Sequence, residues 1–507
     1  MRIGGQDVNW RSCSRLAVAC LITVLAAPAA AAGSETGWRQ TQADDFTRYE
    51  LLAPDTRSFR ILYDVTATTP GAELFFNPIR PGSEPEVHGV TDLATGRALR
   101  WSLVDGERAA QDGWSGADPA MRYIRVELPR AVPKLELGDG SISPLAGEVR
   151  LRIDKTYRDP ESYRLEEQPE PTAANIVFAR SLGIRRNAVV LPHGWELVRC
   201  NVPAQIDTEQ DGRLRLSFHS AWPGATQLEL EARPVAELAG EAADPSDPSA
   251  NSPATTTTRS TAAVAGGAES ATARRRDDAT VRGVGVPGQN LPTPGTIRPG
   301  GSQQSTVASG ARIDYALEPR AAQDREIVYE LQAPETHSFR LYHDYTERRV
   351  GVDRYLNIVR PGSRASDPEA WDLDTGSRLK VEQLRGIEIS RRGIDLGFRP
   401  EPGTEVVVIW FGAVAEGATK RLRIEETYTD ASRYGLMPGD RDTLLWDRSF
   451  GRPRNAVVLP HGWRLVTSSI PGVVSTLDDG RTRLDFVNDR DDEIEVLLRA
   501  TRRPTEG

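Results

Sequence analysis

Cysteine and lysine are both scarce in this chain of 507 residues. The sequence has three cysteines, and two of them, Cys13 and Cys20, lie near the N-terminus. If that segment is removed, Cys200 is left alone and no internal disulfide can form. Lysine occurs only at positions 134, 155, 380 and 420, so arginine supplies nearly all the positive charge. The formal net charge is −9, which argues against nucleic acid or an anionic membrane as a partner.

Recognisable catalytic motifs are also missing. The sequence has no H-E-x-x-H, no cysteine pair with zinc spacing, no G-x-S-x-G, no P-loop and no dinucleotide-binding glycine motif. We therefore predict no cofactor, no metal site and no catalytic residue. Carboxylates are plentiful, so a hydrolase with a carboxylate pair stays open as an alternative. The best acidic candidates are Asp154, Asp159, Glu425 and Asp430, in segments that are also typical of turns and solvated strand faces.

The N-terminus has the order of a secretory signal peptide. Arg2, Arg11 and Arg15 precede the apolar run 16–27, and Ala30–Ala32 supply small residues for cleavage. The run is shorter than the ~20 apolar residues that span a membrane, and lipidation at Cys20 is a further alternative. We expect residues 1–32 to be removed, and the protein to be exported to the periplasm or the medium with no transmembrane anchor.

One decapeptide, RNAVVLPHGW, occurs twice without a change, at 186–195 and at 454–463. The apolar β-branched run predicts a strand that ends at the proline, which has no N–H to donate. The glycine then permits a turn that leads into a second strand. We interpret Pro192, His193, Gly194 and Trp195, with Pro460, His461, Gly462 and Trp463, as a repeated structural corner. His193 and His461 as ligands or bases are the functional alternative, but each has no partner cluster nearby in sequence.

The repeat extends far beyond the decapeptide. LLAPDTRSFRIL at 51–62 matches LQAPETHSFRLY at 331–342, and NPIRPGS at 77–83 matches NIVRPGS at 357–363. DGRLRLSF at 211–218 matches DGRTRLDF at 479–486. The offset falls from 280 to 268 along the chain, and we place the loss of about a dozen residues around 102–120. The sequence predicts two modules, at 33–235 (module 1) and 311–507 (module 2).

Within each module the hydrophobic period is two. VRLRID, RLRLSF and RLRIEE alternate apolar and charged residues, as strands with one solvated face do. The run VVVIWF at 406–411 predicts a strand covered on both faces, and Asp-Gly at 211–212 and 479–480 predicts hairpin turns. No long helical period is present. The predicted fold is all-β, two tandem antiparallel β-sandwich modules.

Residues 236–310 have a different composition, rich in Ala, Ser, Thr, Pro and Gly, with almost no large apolar side chain. Such a segment cannot bury enough surface to offset the entropy lost on ordering. We predict a disordered linker that joins the modules, and its Ser, Thr and Pro content leaves glycosylation as an alternative to a plain tether.

Two loop tryptophans are the candidate ligand-binding residues. Trp114 lies in QDGWSGAD and Trp222 in SAWPGA, and neither has a tryptophan counterpart in the other module. Loop aromatics stack on sugars or anchor protein partners, although they also cap cores. The acidic turn 488–493 is a weaker candidate for calcium, because its oxygen ligands are closely spaced but it lacks the glycine of a calcium loop.

The order of features within a module resembles the N-terminal β-domain of zinc aminopeptidases of the aminopeptidase N type and their glycyl-aminopeptidase relatives. The resemblance rests on SFRILYDVT, DLATGRALRW, VRLRIDKTY and LPHGWELV, in that order. It implies a β fold and an interaction role. The catalytic domain of that family, with its H-E-x-x-H motif, has no counterpart here, so the resemblance transfers no catalytic residue.

Taken together, these features favour an exported, non-catalytic binding or scaffold protein. The expected partner is a protein or a cell-envelope glycan, because two linked modules raise the avidity for a repetitive target. The alternative is an exported hydrolase that acts on glycans or peptides through unrecognised carboxylates.

Overall fold

The computed structural model describes residues 40–133, 149–166, 174–220, 224–235, 326–490 and 492–504. The predicted signal peptide, the predicted linker and Trp222 lie outside these ranges. Within them the chain forms two β modules with the same order of strands, so the predicted all-β fold is confirmed. In the described ranges each module has one short α-helix of five or six residues and one 3-10 turn, at Pro54–Thr56 and Pro334–Thr336. Among the described residues, no helix is long and apolar enough to cross a membrane.

Module 1 has thirteen strands and one α-helix in the described ranges, and each strand follows an alternating stretch of sequence. They are β1 (Gln42–Leu51), β2 (Ser58–Ala67), β3 (Leu74–Ile79), β4 (Glu84–Asp92), β5 (Trp101–Asp105), α1 (Gly106–Gln111), β6 (Arg122–Glu127), β7 (Val149–Arg158), β8 (Tyr163–Glu166), β9 (Asn175–Leu182), β10 (Arg186–Val190), β11 (Trp195–Thr208), β12 (Leu214–His219) and β13 (Thr226–Pro234).

Module 2 repeats this series, element by element. Its elements are β14 (Glu326–Leu331), β15 (Ser338–Glu347), β16 (Arg354–Ile358), β17 (Arg364–Asp372), β18 (Lys380–Arg385), α2 (Ile387–Arg391), β19 (Glu405–Trp410), β20 (Lys420–Thr429), β21 (Tyr434–Leu436), β22 (Thr443–Phe450), β23 (Arg454–Val458), β24 (Trp463–Thr476), β25 (Thr482–Val487) and β26 (Ile494–Arg502).

Each module is built on one long, curved sheet. The strand order in module 1 is β4-β7-β2-β1-β10-β12-β11-β13-β9-β8. Module 2 has the equivalent order, β17-β20-β15-β14-β23-β25-β24-β26-β22-β21. The sheet curves until its two ends face each other. The rings of Phe59 on β2 and Phe178 on β9 lie 5.2 Å apart, although these strands are not neighbours in the sheet.

A smaller sheet of three strands completes each sandwich. It has the order β3-β6-β5 in module 1 and β16-β19-β18 in module 2. In module 1 its inner face buries Phe75 and Val126 in the main core. Its outer face carries a separate cluster that includes Phe76 and Tyr123. Residues 406–410 of the apolar run lie in β19, and 406–409 are all buried, as the sequence predicted for a covered strand.

The pairing differs from the predicted antiparallel pattern at one place in each module. β1 pairs with β10 in parallel, and β14 pairs with β23 in the same way. β10 and β23 carry the first half of the repeated decapeptide, and the turn that follows leads into β11 and β24. Gly194 and Gly462 have φ angles of 75° and 78° in this turn, which is why glycine is needed there.

The length difference between the modules is not located where the sequence suggested. Residues 102–120 have a full counterpart in module 2, since α2 follows β18 just as α1 follows β5. The shortened connection is the next one along the chain. Residues 128–148 link β6 to β7, whereas only residues 411–419 link β19 to β20. The assignment around 102–120 was wrong because this stretch diverged in sequence while keeping its backbone path.

Candidate functional site

The two modules pair directly through their longest strands. β11 and β24 have 14 residues each and run antiparallel to each other. Cys200 pairs with Val474, Ala204 with Gly472 and Ile206 with Ser468. Because Ala204 and Gly472 are equivalent positions, this register is symmetric about their pair. The linked modules are therefore related by a pseudo-two-fold axis through the strand pair.

Side-chain hydrogen bonds at the junction follow the same symmetry. The Thr208 hydroxyl donates to the carbonyl of Val466 at 3.1 Å. The equivalent Thr476 hydroxyl donates to the carbonyl of Val198 at 2.9 Å. Gly472 makes room for Phe486 of its own module behind the strand pair, since a Cβ there would lie 2.6 Å from Cε1 of Phe486.

An ion pair outside this symmetry adds to the contact. The Arg503 side chain of module 2 donates through Nε to both carboxylate oxygens of Glu196, at 3.1 Å each. Glu196 is buried and also accepts from Arg233 at 2.5 Å. The junction thus joins the two curved sheets through backbone pairing, two hydroxyl bonds and a shared buried carboxylate.

A groove of about 570 Å³ lies along one side of the junction. Module 1 contributes three polar side chains from β11, and module 2 contributes the remainder from β24, β26, the β21–β22 turn and the first residue of β22. The lining residues are Gln205, Asp207, Thr208, Met437, Asp440, Thr443, Val466, Thr467, Ser469, Leu497 and Arg499.

The position related to the groove by the pseudo-two-fold axis carries different side chains. There the equivalents of Thr467, Leu497 and Arg499 are Arg199, Glu229 and Glu231. Arg199 forms an ion pair with Glu229 at 2.6 Å, and Glu231 accepts from Asn175 at 2.5 Å. These bonds fix side chains across the surface of module 1, whereas module 2 has a threonine and a leucine at the corresponding positions. The symmetry of the scaffold is broken at the groove.

The two aspartates that line the groove have protein partners in the described ranges, whereas the arginine does not. Asp207 is held by Arg215 at 3.0 Å. A hydrogen bond from Thr443 lowers the pKa of Asp440 below its ordinary value. Arg499 is exposed, and within the described part of the chain no ion pair engages it. The groove therefore offers one available guanidinium, several hydroxyls and short apolar patches, a combination suited to a polar, extended ligand.

The repeated corner lies away from the groove. His193 and His461 are exposed, with Nε2 at 4.0 Å and 3.9 Å from the carboxylates of Asp211 and Asp479. Each of these aspartates is already bound by an arginine two residues later, at 2.7 Å. Among the described residues no group of three His, Cys, Asp or Glu side chains is arranged to hold a metal ion.

The corner tryptophans differ between the modules. Trp463 is buried, and the Arg502 guanidinium lies over its ring at 4.7 Å from the centroid. Trp195 is half-buried and packs against the main core. At the position equivalent to Arg502, module 1 has Pro234, so no guanidinium from that position covers the Trp195 ring. Both aromatic rings therefore pack as side chains of the scaffold.

Trp114 is not exposed on a loop. Its ring stacks on Phe76 with centroids 5.2 Å apart and meets Tyr123 edge-on at 4.9 Å. Trp114 follows α1 and occupies the position that Ile394 fills in module 2. The backbone N–H of Trp114 donates to the carbonyl of Ala109, and that of Ile394 donates to the carbonyl of the equivalent Ile389. These contacts with Phe76 and Tyr123 explain the presence of a tryptophan at position 114 without a ligand. Its ligand-binding role stays a prediction, and Trp222 lies outside the described residues.

The acidic candidates all have positively charged or hydroxyl partners. Asp154 is bound by two nitrogens of Arg60 at 2.8 and 2.6 Å, and Glu425 is bound by Arg340. Burial alone would raise the pKa of Asp159, but hydrogen bonds from Ser162 and Ser83 lower it below its ordinary value.

Asp430 repeats this arrangement in module 2. Ser363 and Ser432 donate hydrogen bonds to its carboxylate at 2.7 Å each. The net pKa shift is again downward, although burial opposes it. Carboxylates held in the ionised form in this way are poor proton donors, so neither aspartate has the properties of a general acid.

The proposed calcium turn is also internally neutralised. Asn488 is buried and donates to the carbonyls of Phe450 and Asp492. Asp492 is bound by Arg490 through two bonds of 2.7 Å. Three of the oxygen-bearing side chains of this turn, those of Asn488, Asp492 and Glu493, are therefore bound by protein partners.

Cys200 is fully buried at the junction, where its thiol donates to the carbonyl of Val202 at 3.2 Å. Burial raises the pKa of this thiol to about 12, so it is not a nucleophile. Ser468 makes the equivalent bond to Ile470 at 2.7 Å. The cysteine is a packing residue of the strand pair.

No protein-family model matches the chain. No curated protein matches it either. Among solved structures, it is similar to an M1 zinc metallopeptidase from Deinococcus radiodurans, with 13% identity and a TM-score of 0.24. It is also similar to a two-domain M1 zinc metallopeptidase variant bound to L-arginine, with 14% identity and a TM-score of 0.23. Each match covers 39% of this chain and 44% of the other, so the chain spans less than half the length of these proteins. The resemblance to zinc aminopeptidases that the sequence suggested is thus matched among solved structures.

The groove residues were not found from the sequence. They lie on strands with the same alternating pattern as the others, and no motif distinguishes them. Two signals were present: β11 and β24 are unusually long, and positions 229 and 231 change from acidic residues to Leu497 and Arg499 in the second copy.

Proposed function

We propose that this is an exported, non-catalytic binding or scaffold protein whose two modules act as one unit and bind a ligand in the junction groove. The observation that supports it is the lining of the groove by side chains of both modules, beside a strand pair whose register is symmetric. A site that needs both modules explains why both copies are retained.

The chemistry of the groove favours a polar chain as its ligand. Arg499 supplies a cation and Ser469 a hydroxyl donor. The hydroxyls of Thr208 and Thr443 already donate within the protein and can only accept from a ligand. A protein segment or a cell-envelope glycan presents the alternating donors and acceptors that such a surface pairs with. The net charge of −9 argues against nucleic acid.

A hydrolase is the second candidate, because Asp207 and Asp440 both line the groove and glycoside hydrolysis uses two carboxyl groups. One of the pair must act as an acid with a raised pKa. The pKa of Asp440 is instead lowered, and Asp207 is held by Arg215. Binding therefore fits this geometry better than catalysis does.

The test compares the wild-type chain with Arg499→Glu as immobilised baits for cell-envelope extract. Arg391→Glu on α2 is the matched control, because it makes the same charge change on an exposed residue outside the groove. We expect a defined glycan or protein that is retained by the wild type and the control and is lost with Arg499→Glu. Equal retention by all three would refute the groove as the site. Release of cleaved products that stops in Asp440→Asn would favour the hydrolase.

Export rests on the N-terminal sequence, and we propose that the mature chain begins near Gly33. N-terminal sequencing of the protein from its native compartment tests this directly. A chain that still begins at Met1, or a lipid on Cys20, would contradict it.

A further inference from the structure

The two modules differ at one position where a carboxylate is held in place. In module 2, Glu493 directly precedes β26. The Ser449 hydroxyl donates to its Oε2 at 2.5 Å, and Arg360 lies 3.9 Å from the same oxygen. Arg360 also donates to the Ser449 hydroxyl at 3.1 Å. An arginine and a serine thus hold this carboxylate against the end of β22.

Gly451 forms the floor of this arrangement. A Cβ at this position would lie 3.2 Å from Oε1 of Glu493 and 3.3 Å from its Cγ, so the missing side chain makes room for the glutamate. Arg360, Ser449 and Gly451 together form what we call the carboxylate cradle of module 2.

Module 1 keeps each part of the cradle at the equivalent position, as Arg80, Ser181 and Gly183. The backbones also correspond. Ser83 N–H donates to the carbonyl of Arg80 at 3.2 Å, as Ser363 N–H does to that of Arg360 at 3.0 Å. Thr226 pairs with Leu182 in the same register as Ile494 with Phe450. The residue before Thr226, however, is Ala225 and not a glutamate.

Among the described residues, which leave out 221–223, none fills the space in module 1 that corresponds to the glutamate. Within that part of the chain, a Cβ added to Gly183 meets no atom within 4 Å. Arg80, Ser181, Gly183 and Ala225 are all exposed, whereas Arg360, Ser449 and Gly451 are partly covered. The same backbone therefore presents an empty cradle in one copy and a filled cradle in the other.

The charge around the empty cradle favours an anion. In the described ranges, no ion pair engages the side chain of Arg80. The charge of Arg80 acts on the Asp159 carboxylate, which already accepts from Ser83 and Ser162 and lies 3.5 Å from Arg180. The Ser181 hydroxyl accepts from Gln227 at 3.2 Å and keeps its own proton to donate. An arginine and a hydroxyl donor at the positions of Arg360 and Ser449 suit a planar carboxylate.

We propose that module 1 carries a carboxylate-binding site formed by Arg80, Ser181 and Gly183, in which the carboxylate of a separate molecule takes the place that Glu493 fills in module 2. An acidic peptide side chain, a peptide C-terminus and a uronic acid share this chemistry. None of these three residues lines the junction groove, so the site stands independently of the function proposed above.

The test is saturation-transfer difference NMR on the full chain with sodium acetate, at constant ionic strength maintained with sodium chloride. We expect a signal on the acetate methyl group that falls at least fivefold in Arg80→Gln and in Ala225→Glu. Ala225→Glu places a carboxylate in module 1 at the position that Glu493 has in module 2, so the chain itself should fill the site. Ala225 is exposed, and a longer side chain is tolerated there. Glu493→Ala should increase the signal, because it opens the second cradle. Arg97→Gln, an exposed arginine elsewhere in module 1, should leave the signal unchanged.

Competition then identifies the source of the carboxylate. N-acetylglycine represents a peptide C-terminus, N-acetylglutamate α-amide represents an acidic side chain, and galacturonate represents a uronic acid. The strongest competitor names the class, and inorganic phosphate should compete no better than chloride. Phosphate displacing acetate as well as the carboxylates do, or an acetate signal unaffected by Arg80→Gln, Ala225→Glu and Glu493→Ala, would overturn the proposal.

Discussion

Lys155 of module 1 and Glu426 of module 2 occupy equivalent buried positions with opposite charge types. Lys155 on β7 donates to Asn77 at 2.5 Å, and Glu426 on β20 accepts from the equivalent Asn357 at 2.6 Å. Each therefore bridges the large and small sheets through the same asparagine. Burial lowers the pKa of Lys155 to about 7 and raises the pKa of Glu426 to about 7.

Glu426 gives module 2 a stability that falls as the pH rises. Its pKa is about 7 in the folded chain against 4.5 in the unfolded chain, so the folded state binds more protons between these values. The stabilisation is complete below pH 4.5 and is lost as the pH rises through 7. Glu426→Gln should stabilise the protein above pH 7 by about 3 kcal/mol and by little at pH 4.5, in thermal melts across this range. Exposed Glu416→Gln is the control, and a pH-independent difference would contradict the prediction.

Lys155 produces the opposite dependence in module 1. Its pKa is about 7 folded against 10.5 unfolded, so the unfolded state binds more protons in between and stability rises with pH. Lys155→Met should be more stable than the wild type near pH 7, and this advantage should shrink steadily toward pH 9.5 in denaturant titrations. A constant advantage would show that methionine acts through packing alone.

Trp114→Ala should destabilise module 1 by about 2–4 kcal/mol, because the ring packs against Phe76 and Tyr123. Trp101→Ala is the matched control, since Trp101 lies on the edge strand β5 with 37% of its surface exposed, and its loss should cost less. Urea titrations compare the two. A Trp114→Ala variant with unchanged stability but lost ligand binding would restore the role that the sequence suggested.

The corner tryptophans should differ in their contribution to stability. Trp463 is 2% exposed and lies beneath Arg502, so Trp463→Ala should cost about 3–5 kcal/mol. Trp195 is only half-buried, and Trp195→Ala should cost less. Chemical denaturation of the two variants gives the ranking, and equal losses would mean that the corners pack alike.

Cleavage within 236–310 should produce two module fragments that stay associated. The β11–β24 pairing, the two threonine bonds and the Arg503–Glu196 pair do not depend on a covalent linker. Size-exclusion chromatography after brief proteolysis should show co-elution, and Glu196→Gln should weaken it. Thr91→Val, away from the junction, is the control. Fragments that elute separately in the wild type would mean that the contact needs the linker.

Much of the fold followed from the sequence because repetition and alternation are local signals. The duplicated decapeptide predicted the β10–β11 corner and its equivalent, and the Asp-Gly pairs predicted the hairpin turns at Gly212 and Gly480. The junction could not be predicted in this way, since Ala204 and Gly472 differ from other strand residues only in size. Lys155 and Glu426 were missed because a charged residue in an alternating strand ordinarily faces solvent.

The symmetry of the β11–β24 contact has a consequence for how the two copies can change. In a homodimer of identical chains, every substitution appears on both sides of the axis, so a new binding surface is always made twice. Here the two halves are encoded separately, and the contact that joins them is insensitive to dilution. Thr467, Leu497 and Arg499 shape one flank of the axis while Arg199, Glu229 and Glu231 retain another chemistry on the opposite flank. Because the two modules are separate parts of one chain, a substitution can change the surface on one side of the pseudo-two-fold axis and leave the other side unchanged.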